Sequence, residues 1–389
     1  MNTTKYLSFF VLLLFLISCG GKKEEQTFSP NLNRDAFKSY PIDLNAPKIK
    51  FADLIEEVEI VRLEETEESL LGSIFNVTLY KDLIVFPNVK EKSLYFFNNK
   101  GEYLRTFKRD GGGPKEYSSL WGFWFKGDTL KIYDNERPRV IFYDLEGNYL
   151  SEIKVPHNAM HVFENERGYW LDMSHRFSGD STNYELISYD YKMENPISFL
   201  PFNQPFGFPI VTTNNSMTPY KREVVYKQIL NDSIYKISGD RIEPFIHFDF
   251  GNNYLWKDAD LLNSPNGGMG AIRESNKVWV IRPEVGEELI YLTYNTSFQD
   301  SFKVILDRRT GKHLHIDSRK STDENLAIVI DRWLGNNTML ISIGSTDLAD
   351  LLSDLEENQY SFREGSSLAE IESSENPALM WVKFKTEFE

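Results

Sequence analysis

The hydrophobic positions of this chain come in short runs rather than in long periodic segments. From Phe51 onward, runs rich in Val, Ile, Tyr and Phe alternate with Asn, Asp and Gly. Such runs, bounded by turn-forming residues, are typical of strands, whereas a helix repeats its apolar residues every three or four positions. The pattern therefore predicts an all-β domain built from many short strands.

One segment recurs along the chain with a constant offset of 46 residues. The segment 94–104 (LYFFNNKGEYL) matches 140–150 (VIFYDLEGNYL), and upstream 82–86 matches 128–132. A third copy at the same offset is 186–190, a fainter copy is 304–312, and 234–239 is another with its turn altered. The unit reads as a strand, a tight turn at Asp/Asn-x-x-Gly and a second strand, because Asx side chains bond the nearby backbone and Gly supplies positive φ.

A repeat of this length with about four strands matches one blade of a β-propeller. Residues 51–389 would hold six blades of roughly this length with room for longer loops, so we expect a six-bladed β-propeller of four-stranded antiparallel blades. A solenoid is the alternative, but solenoids are usually built from shorter repeats or helices, and the copies here have neither.

The C-terminal region departs from the strand pattern. Leucines at 348, 351, 352 and 355 share one helical face behind the N-cap signal Ser345–Asp347, and a second helical turn is predicted at 367–371. The segment 378–384 returns to a strand. We expect 58–63 to complete the blade of this last strand, which closes the ring and removes exposed sheet edges.

The N-terminus carries an apolar run, Tyr6–Ile17, that is shorter than a comfortable membrane span. Residues 1–18 are therefore predicted as a signal peptide. Cys19, the only cysteine, follows Ser18 as in the bacterial lipobox, and this resemblance implies cleavage before Cys19 and lipidation of its thiol. A plain signal peptide with an incidental cysteine is the alternative. Residues 19–47 are predicted as the lipidated cysteine and a flexible tether, and 48–389 as a single propeller domain.

Composition limits the partners. The 389 residues carry a formal net charge of -15, and 41% are hydrophobic. The apolar fraction is sufficient for a large core. The acidity argues against a nucleic acid partner, because phosphate binding requires a concentrated basic surface. A single cysteine excludes an intrachain disulfide.

Together these features resemble the six-bladed β-propeller lipoproteins of Bacteroidota, which are related in shape to NHL-type propellers. Besides the lipobox and the repeat, the matching motifs are Val61–Thr66, Gly111–Tyr117 and Glu375–Pro377. The family often shows Gly-x-Gly-Pro-Gly-Glu-Tyr, and here Lys115 replaces the third glycine. The resemblance implies the fold and the anchor, but little about activity, because propellers include both enzymes and binding modules.

The stretch Arg109–Tyr117 (RDGGGPKEY) shares glycines and a lysine with phosphate-binding loops. A P-loop continues from its lysine into Ser or Thr and a helix. Here Lys115 is followed by Glu116 and Tyr117, and 120–125 reads as a strand. We interpret the stretch as a connection between blades, in which the glycines allow a tight reversal and Tyr117 packs inward.

The remaining candidate chemistry is sparse. The histidines are His157, His161, His175, His247, His313 and His315. His313 and His315 share a face if they lie in a strand, but a zinc site needs a third ligand, so we predict no metal and no cofactor. Asp134–Arg137 lacks calcium-loop spacing and is interpreted as a solvated turn, and Gly267–Ala271 as a flexible loop. Carboxylate pairs of the glycosidase type remain open.

The sequence therefore predicts a lipid-anchored, extracytoplasmic propeller at the outer membrane, on its periplasmic face or at the cell surface. Its partners would be the membrane, through the anchor at Cys19, and an unidentified ligand or envelope protein. The alternative is a propeller-type lyase or hydrolase with its site at the mouth of the central channel. No catalytic motif identifies catalytic residues, so binding or a scaffold role is favoured over an enzyme.

Overall fold

The computed structural model describes residues 37–176, 183–202, 206–208, 216–258, 260–264, 267–320, 322 and 324–388. The predicted signal peptide and Cys19 lie outside these residues. Within the described part, none of the helices combines the length and hydrophobicity needed to cross a membrane.

The strands form six sheets arranged as the blades of a β-propeller, which confirms the predicted fold. Three strands precede the first blade: β1 (Lys38–Pro41), β2 (Lys48–Lys50) and β3 (Ile55–Val61). Blade 1 contains β4 (Thr78–Tyr80), β5 (Leu83–Asn88), β6 (Ser93–Asn98) and β7 (Tyr103–Phe107). Blade 2 contains β8 (Gly122–Lys126), β9 (Thr129–Asp134), β10 (Arg139–Asp144) and β11 (Tyr149–Lys154). Blade 3 contains β12 (His161–Glu164), β13 (Tyr169–Asp172), β14 (Asn183–Tyr189) and β15 (Ile197–Phe202).

The last three blades are larger. Blade 4 contains β16 (Met217–Tyr220), β17 (Glu223–Lys227), β18 (Ser233–Ser238) and β19 (Arg241–Asp249), followed by helices α1 (Asp260–Asn263) and α2 (Gly267–Glu274). Blade 5 contains β20 (Val280–Val285), β21 (Leu289–Asn295), β22 (Ser301–Asp307) and β23 (His313–Asp317). Blade 6 contains β24 (Ile328–Gly335), β25 (Thr338–Ile343) and β27 (Ala378–Phe384), with α3 (Ser345–Ser353), β26 (Tyr360–Phe362) and α4 (Leu368–Glu372) between the last two.

Blades 4, 5 and 6 have five strands instead of the predicted four. β1 and β2 add in parallel to the outer strands β19 and β23, and β26 adds in parallel to β3. β1 falls in the segment that the sequence assigns to the tether. Its central residue Tyr40 is almost fully buried, and the Tyr40 hydroxyl donates to the Arg308 carbonyl oxygen at 2.9 Å. Sequence reasoning missed this strand because its partner is about two hundred residues away and it has only four residues.

The repeated turn between third and fourth strands has the predicted chemistry. In blade 2 the Asp144 carboxylate accepts from the backbone N–H of Asn148 at 2.7 Å, and Gly147 has a φ of +90°. In blade 1 Gly101 has a φ of +84°, and a Cβ there would lie 1.8 Å from the Arg62 carbonyl oxygen. Only glycine fits this position, because the turn of blade 1 packs directly against the chain that leaves the closing strand.

Ring closure occurs in blade 6, as predicted. β3, from the beginning of the domain, pairs antiparallel with β27, from its end, with Val61 opposite Leu379. The motifs 61–66 and 375–377 meet at this seam. The buried Asn376 side chain accepts from the N–H of Leu71 at 2.8 Å and donates to the carbonyl oxygens of Ser69 at 2.9 Å and Glu64 at 3.1 Å.

The predicted amphipathic helix is confirmed as α3. Leu348, Leu351 and Leu352 are buried in the same core cluster as β3 and β27 residues, so the helix covers the outer part of the closing blade. Its N-cap is Gly344, the residue before the predicted N-cap signal Ser345–Asp347. α4 begins after Ser367, whose hydroxyl accepts from the backbone N–H of Glu370.

We expect Asn376→Ala to destabilise the domain by about 2–4 kcal/mol, because it leaves the buried Leu71 N–H and the buried Ser69 carbonyl oxygen without partners. Chemical denaturation of the two proteins measures this difference. Asn99→Ala serves as the control, since Asn99 is exposed in the turn of blade 1. Equal stabilities for Asn376→Ala and Asn99→Ala would contradict the role assigned to the seam.

Candidate functional site

Several charged and polar residues lie on the innermost strands, which border the central channel. The first strand of each blade is the edge of its sheet opposite the outer strands, and β20 contacts β24 of the next blade. Four of these six strands carry charged or histidine side chains. They are Lys126 on β8, His161 and Glu164 on β12, Arg282 and Glu284 on β20, and Asp331 and Arg332 on β24. We call these seven residues the inner-strand polar set.

His161 and Asp172 lie opposite each other at the start of β12 and the end of β13. Both are buried. The Asp172 carboxylate accepts hydrogen bonds from the Ser216 hydroxyl and, at 3.2 Å, from the Tyr226 hydroxyl, both on blade 4. Burial lowers the pKa of His161, so its imidazole is neutral at pH 7. Its Nε2 atom is buried and has no hydrogen-bond partner in the described structure.

His175 and Glu185 extend this cluster outward. The His175 ring lies between Phe202 and Phe206, with ring centroids 4.4 and 3.8 Å away, and its Nδ1 contacts the Glu185 carboxylate. Glu185 is buried and also accepts from the Gln228 side-chain amide at 2.9 Å. The cluster thus joins the third strand of blade 3 to blade 4 through buried polar contacts.

Lys227 and Glu284 connect blade 4 to the inner strand of blade 5. The Lys227 Nζ lies 2.7 Å from a Glu284 carboxylate oxygen, and both side chains are largely buried. On the same strand, the Arg282 guanidinium donates to the Asn295 side-chain oxygen at 2.9 Å. A charge pair with this degree of burial has a fixed geometry, because breaking it leaves an uncompensated charge in a poorly solvated place.

Asp331 continues the arrangement to blades 6 and 1. It accepts from the backbone N–H of Val77 at 2.8 Å. Burial raises the pKa of Asp331 to about 6, the negative charge of Glu284 adds to the rise, and Arg332 and the Val77 hydrogen bond oppose it. Glu284 therefore lies near enough for its negative charge to affect Asp331, while Glu284 is itself ion-paired with Lys227.

Glu164 anchors the opposite end of β12. Its side chain is almost fully buried and accepts from the Trp124 indole at 2.7 Å and from Lys126 and Lys131, each at 2.6 Å. Burial acts to raise the pKa of Glu164, but the hydrogen bonds from the two lysines and the indole outweigh it and lower the pKa. The Glu164 carboxylate therefore connects blade 2 to blade 3.

The other histidines have structural surroundings. His313 and His315 lie on strand β23, as expected, but they hold the N-terminal segment: His313 Nε2 accepts from the Asp43 N–H at 3.0 Å, and His315 Nδ1 lies 3.2 Å from the Ala46 carbonyl oxygen. His157 contacts the Tyr189 hydroxyl at 2.7 Å. In the described part of the chain, no three His, Cys, Asp or Glu residues are grouped so that they could hold a metal ion.

The stretch Arg109–Tyr117 is a connection between blades, as predicted. Tyr117 is fully buried, and its hydroxyl donates to the Lys92 carbonyl oxygen at 2.7 Å. The Glu116 carboxylate fills the loop and accepts from the Gly113 N–H at 2.8 Å. A Cβ at Gly111 would lie 2.1 Å from this carboxylate, so the glycine makes room for Glu116 rather than for a phosphate.

The interpretation of Asp134–Arg137 as a solvated turn is wrong. Asp134 is fully buried and accepts from the backbone N–H groups of Ser118 and Ser119 at 3.0 and 3.1 Å. Arg137 donates to the carbonyl oxygens of Gly111 at 3.0 Å and Glu116 at 2.8 Å. The turn therefore holds the glycine loop in place, because the charged Arg137 side chain satisfies backbone carbonyl oxygens of that loop.

The interpretation of Gly267–Ala271 as a loop is also wrong, because the segment begins helix α2. A Cβ at Gly268 would lie 2.1 Å from the Phe208 ring, so this glycine allows the helix to pack closely. Three glycines in five residues disfavour a helix by intrinsic propensity. Tertiary packing overrides that propensity here.

Sequence reasoning missed Asp172, although a signal existed. Asn88, Asp134 and Asp172 each end the second strand of a blade. The first two are 46 residues apart, but the connection before blade 3 spans only 155–160, whereas that before blade 2 spans 108–121. Adding 46 to the number of Asp134 therefore leads to a residue beyond Asp172. The equivalence of Asp172 and Asp134 becomes visible only once the strands are assigned.

Comparison with known proteins supports the fold. The model of the family described as domain of unknown function (DUF4934) matches residues 40–383. A structure of a Bacteroides fragilis protein described as exported has 15% sequence identity and a TM-score of 0.68, covering 90% of this chain and 99% of its own. No curated protein matches the sequence.

Two further structures are more distant. A DUF4221 family member from Bacteroides vulgatus has 13% identity and a TM-score of 0.46, covering 85% of this chain and 97% of its own. Virginiamycin B lyase from Staphylococcus aureus has 9% identity and a TM-score of 0.42, covering 84% and 99%. These values describe similarity of shape only.

Asp331→Asn tests the electrostatics of the inner strands. Because the pKa of Asp331 is raised to about 6 from 3.8, the folded protein binds this proton more tightly than the unfolded chain. The protonated carboxyl stabilises fully below pH 3.8, and this stabilisation is lost as the pH rises through 6. We expect the free energy of unfolding of Asp331→Asn, relative to that of the parent, to rise by about 1–3 kcal/mol from pH 4.5 to pH 8. Thermal denaturation of both proteins at pH 4.5 and pH 8 measures this change. A difference in stability that does not depend on pH would contradict the raised pKa of Asp331.

Proposed function

Since the chain belongs to the DUF4934 family, whose description assigns no activity, we propose a function from its own residues: a lipid-anchored, extracytoplasmic β-propeller that binds a ligand or an envelope protein at the outer membrane. The Cys19 lipobox supports the anchor, and the exported Bacteroides fragilis protein of the same fold is consistent with the location. We also propose that the protein is related to NHL-type propellers and to the propeller lipoproteins of Bacteroidota.

The observation that supports the binding role is the group of buried polar residues on blades 3 to 6 described above. Lys227 and Glu284 are fixed by a 2.7 Å ion pair, while the buried Nε2 of His161 has no hydrogen-bond partner in the described structure. Binding sites typically combine a rigid surface with a few oriented polar groups. In our proposal the ligand contacts the end of the channel where His161 and Lys227 lie.

A second candidate function is supported by Asp331 and the neighbouring Glu284. A carboxyl whose pKa is raised to about 6, near a second carboxyl, is typical of sites for general acid–base chemistry, as in glycoside hydrolysis. The propeller-type lyase or hydrolase is therefore the alternative. Enzyme-like turnover of a glycan, peptide or lactone, abolished by Asp331→Asn, would favour this alternative over simple binding.

We expect Cys19→Ser to move the protein from the membrane fraction to the soluble fraction, because several acyl chains supply the anchoring energy at about 0.8 kcal/mol per buried methylene. Fractionation followed by immunoblotting measures the distribution. Ser29→Ala, in the predicted tether, is the matched control and should stay with the membrane. Protease treatment of intact cells then distinguishes the cell surface from the periplasmic face. Unchanged partitioning of Cys19→Ser would contradict lipidation.

The binding site is tested by affinity capture from detergent-solubilised envelopes of the native bacterium. We expect the parent protein to retain a specific ligand or protein that Lys227→Ala loses, because the substitution removes a positive charge and leaves Glu284 unpaired. Lys90→Ala is the control, since Lys90 is exposed on blade 1. Thermal denaturation must first show that Lys227→Ala is folded. Identical capture by parent and Lys227→Ala would place the binding surface elsewhere.

A further inference from the structure

The connection between blades 4 and 5 contains a cleft that the channel residues do not reach. It runs from Asp249 to Val280 and carries α1 and α2. The cleft has a volume of about 400 Å³. Polar and apolar side chains share its lining, which includes Asn252, Tyr254, Leu255, Lys257, Asp258 and Lys277.

Backbone hydrogen bonds hold the two walls of this cleft together. The Leu255 N–H donates to the Val278 carbonyl oxygen at 2.9 Å, and the Val278 N–H donates to the Asn253 carbonyl oxygen at 2.7 Å. Leu255 and Val278 are also buried. Lys257 and Lys277 are thereby brought to the same cleft from segments 20 residues apart, on a backbone that needs no rearrangement.

The charges of this cleft are unbalanced. Lys257 and Lys277 are exposed, and within the described structure neither forms an ion pair. The one carboxylate in the lining, Asp258, accepts from the N–H of Asp260 in its own turn at 3.2 Å. The two ammonium groups therefore remain available to an external anion.

Tyr254 provides an independent indication of a ligand. The side chain is 5% exposed, and its hydroxyl is buried with no hydrogen-bond partner in the described structure. A buried hydroxyl without a partner costs free energy, so such groups usually have a function. Burial raises the pKa of Tyr254 well above its ordinary value, so the hydroxyl stays protonated and acts as a donor.

We propose that this cleft binds an oxyanion, a carboxylate or phosphate group of a small ligand. Lys257 and Lys277 neutralise its charge, and the Tyr254 hydroxyl donates a hydrogen bond to one of its oxygens. Leu255 supplies an apolar wall for the rest of the ligand. The site is separate from the channel, so it goes beyond the binding role proposed above and does not depend on it.

The test titrates the full mature protein in detergent with inorganic phosphate and, separately, with acetate, using calorimetry. The two anions distinguish a phosphate site from a carboxylate site. We expect the double variant Lys257→Ala/Lys277→Ala to weaken binding of the preferred anion at least about tenfold, because two charge-assisted contacts are lost. The matched pair Lys90→Ala/Lys154→Ala, exposed on blades 1 and 2, should retain the parent Kd within about twofold.

Tyr254→Phe separates a ligand role from a structural role. Removing a hydroxyl that has no internal partner should keep or raise the Tm of the free protein, while weakening anion binding about fivefold or more. A lower Tm would show that the hydroxyl has a structural partner, and this would overturn its assigned role. The absence of binding at millimolar phosphate and acetate, or equal loss in the Lys90/Lys154 control pair, would overturn the site itself.

Discussion

The pairing of β3 with β27 is the constraint on which the other contacts depend. Each blade packs against its neighbours, so the six sheets form a ring only if its two ends are joined. The joint combines a long antiparallel ladder with a polar lock, in which Asn376 and Glu65 bind the chain at both ends of the domain. Gly101 then allows blade 1 to approach this joint closely. The inner strands of the six blades can face one another only because the ring is closed.

The polar residues that end the second strands make different contacts in different blades. Asp134 satisfies backbone N–H groups of the preceding connection, whereas Asp172 accepts from side chains of the next blade, and Lys227 forms an ion pair across the following seam. The ends of the second strands of blades 2 to 4 thus carry charged side chains that connect different parts of the ring. The same side of the ring carries the neutral, partly unsatisfied His161. Stabilising contacts and candidate binding groups therefore share one set of positions.

The sequence predicted the fold because the repeat, the Asp-x-x-Gly turns and the helical leucines of α3 are all local patterns. It did not predict β1 or β2, whose stability comes from parallel pairing with distant strands. The burial of Asp134 and the helix at Gly267 were also missed, since both depend on packing against other segments rather than on local propensity. For the candidate site, sequence reasoning listed His161 without a partner. Its neighbours Asp172, Lys227 and Glu284 come from three blades, and only the folded ring brings them together.

The N-terminal strands have a mechanical consequence if the chain is tethered at its N-terminus. A pulling force would reach β1 first, then β2, and only afterwards the closing strand β3. β1 and β2 lie parallel to their partners on blades 4 and 5, so they could detach one after the other while the ring stays shut. Their detachment would lengthen the N-terminal tether and dissipate part of the applied force. The two short strands would thus protect the closed ring from mechanical unfolding.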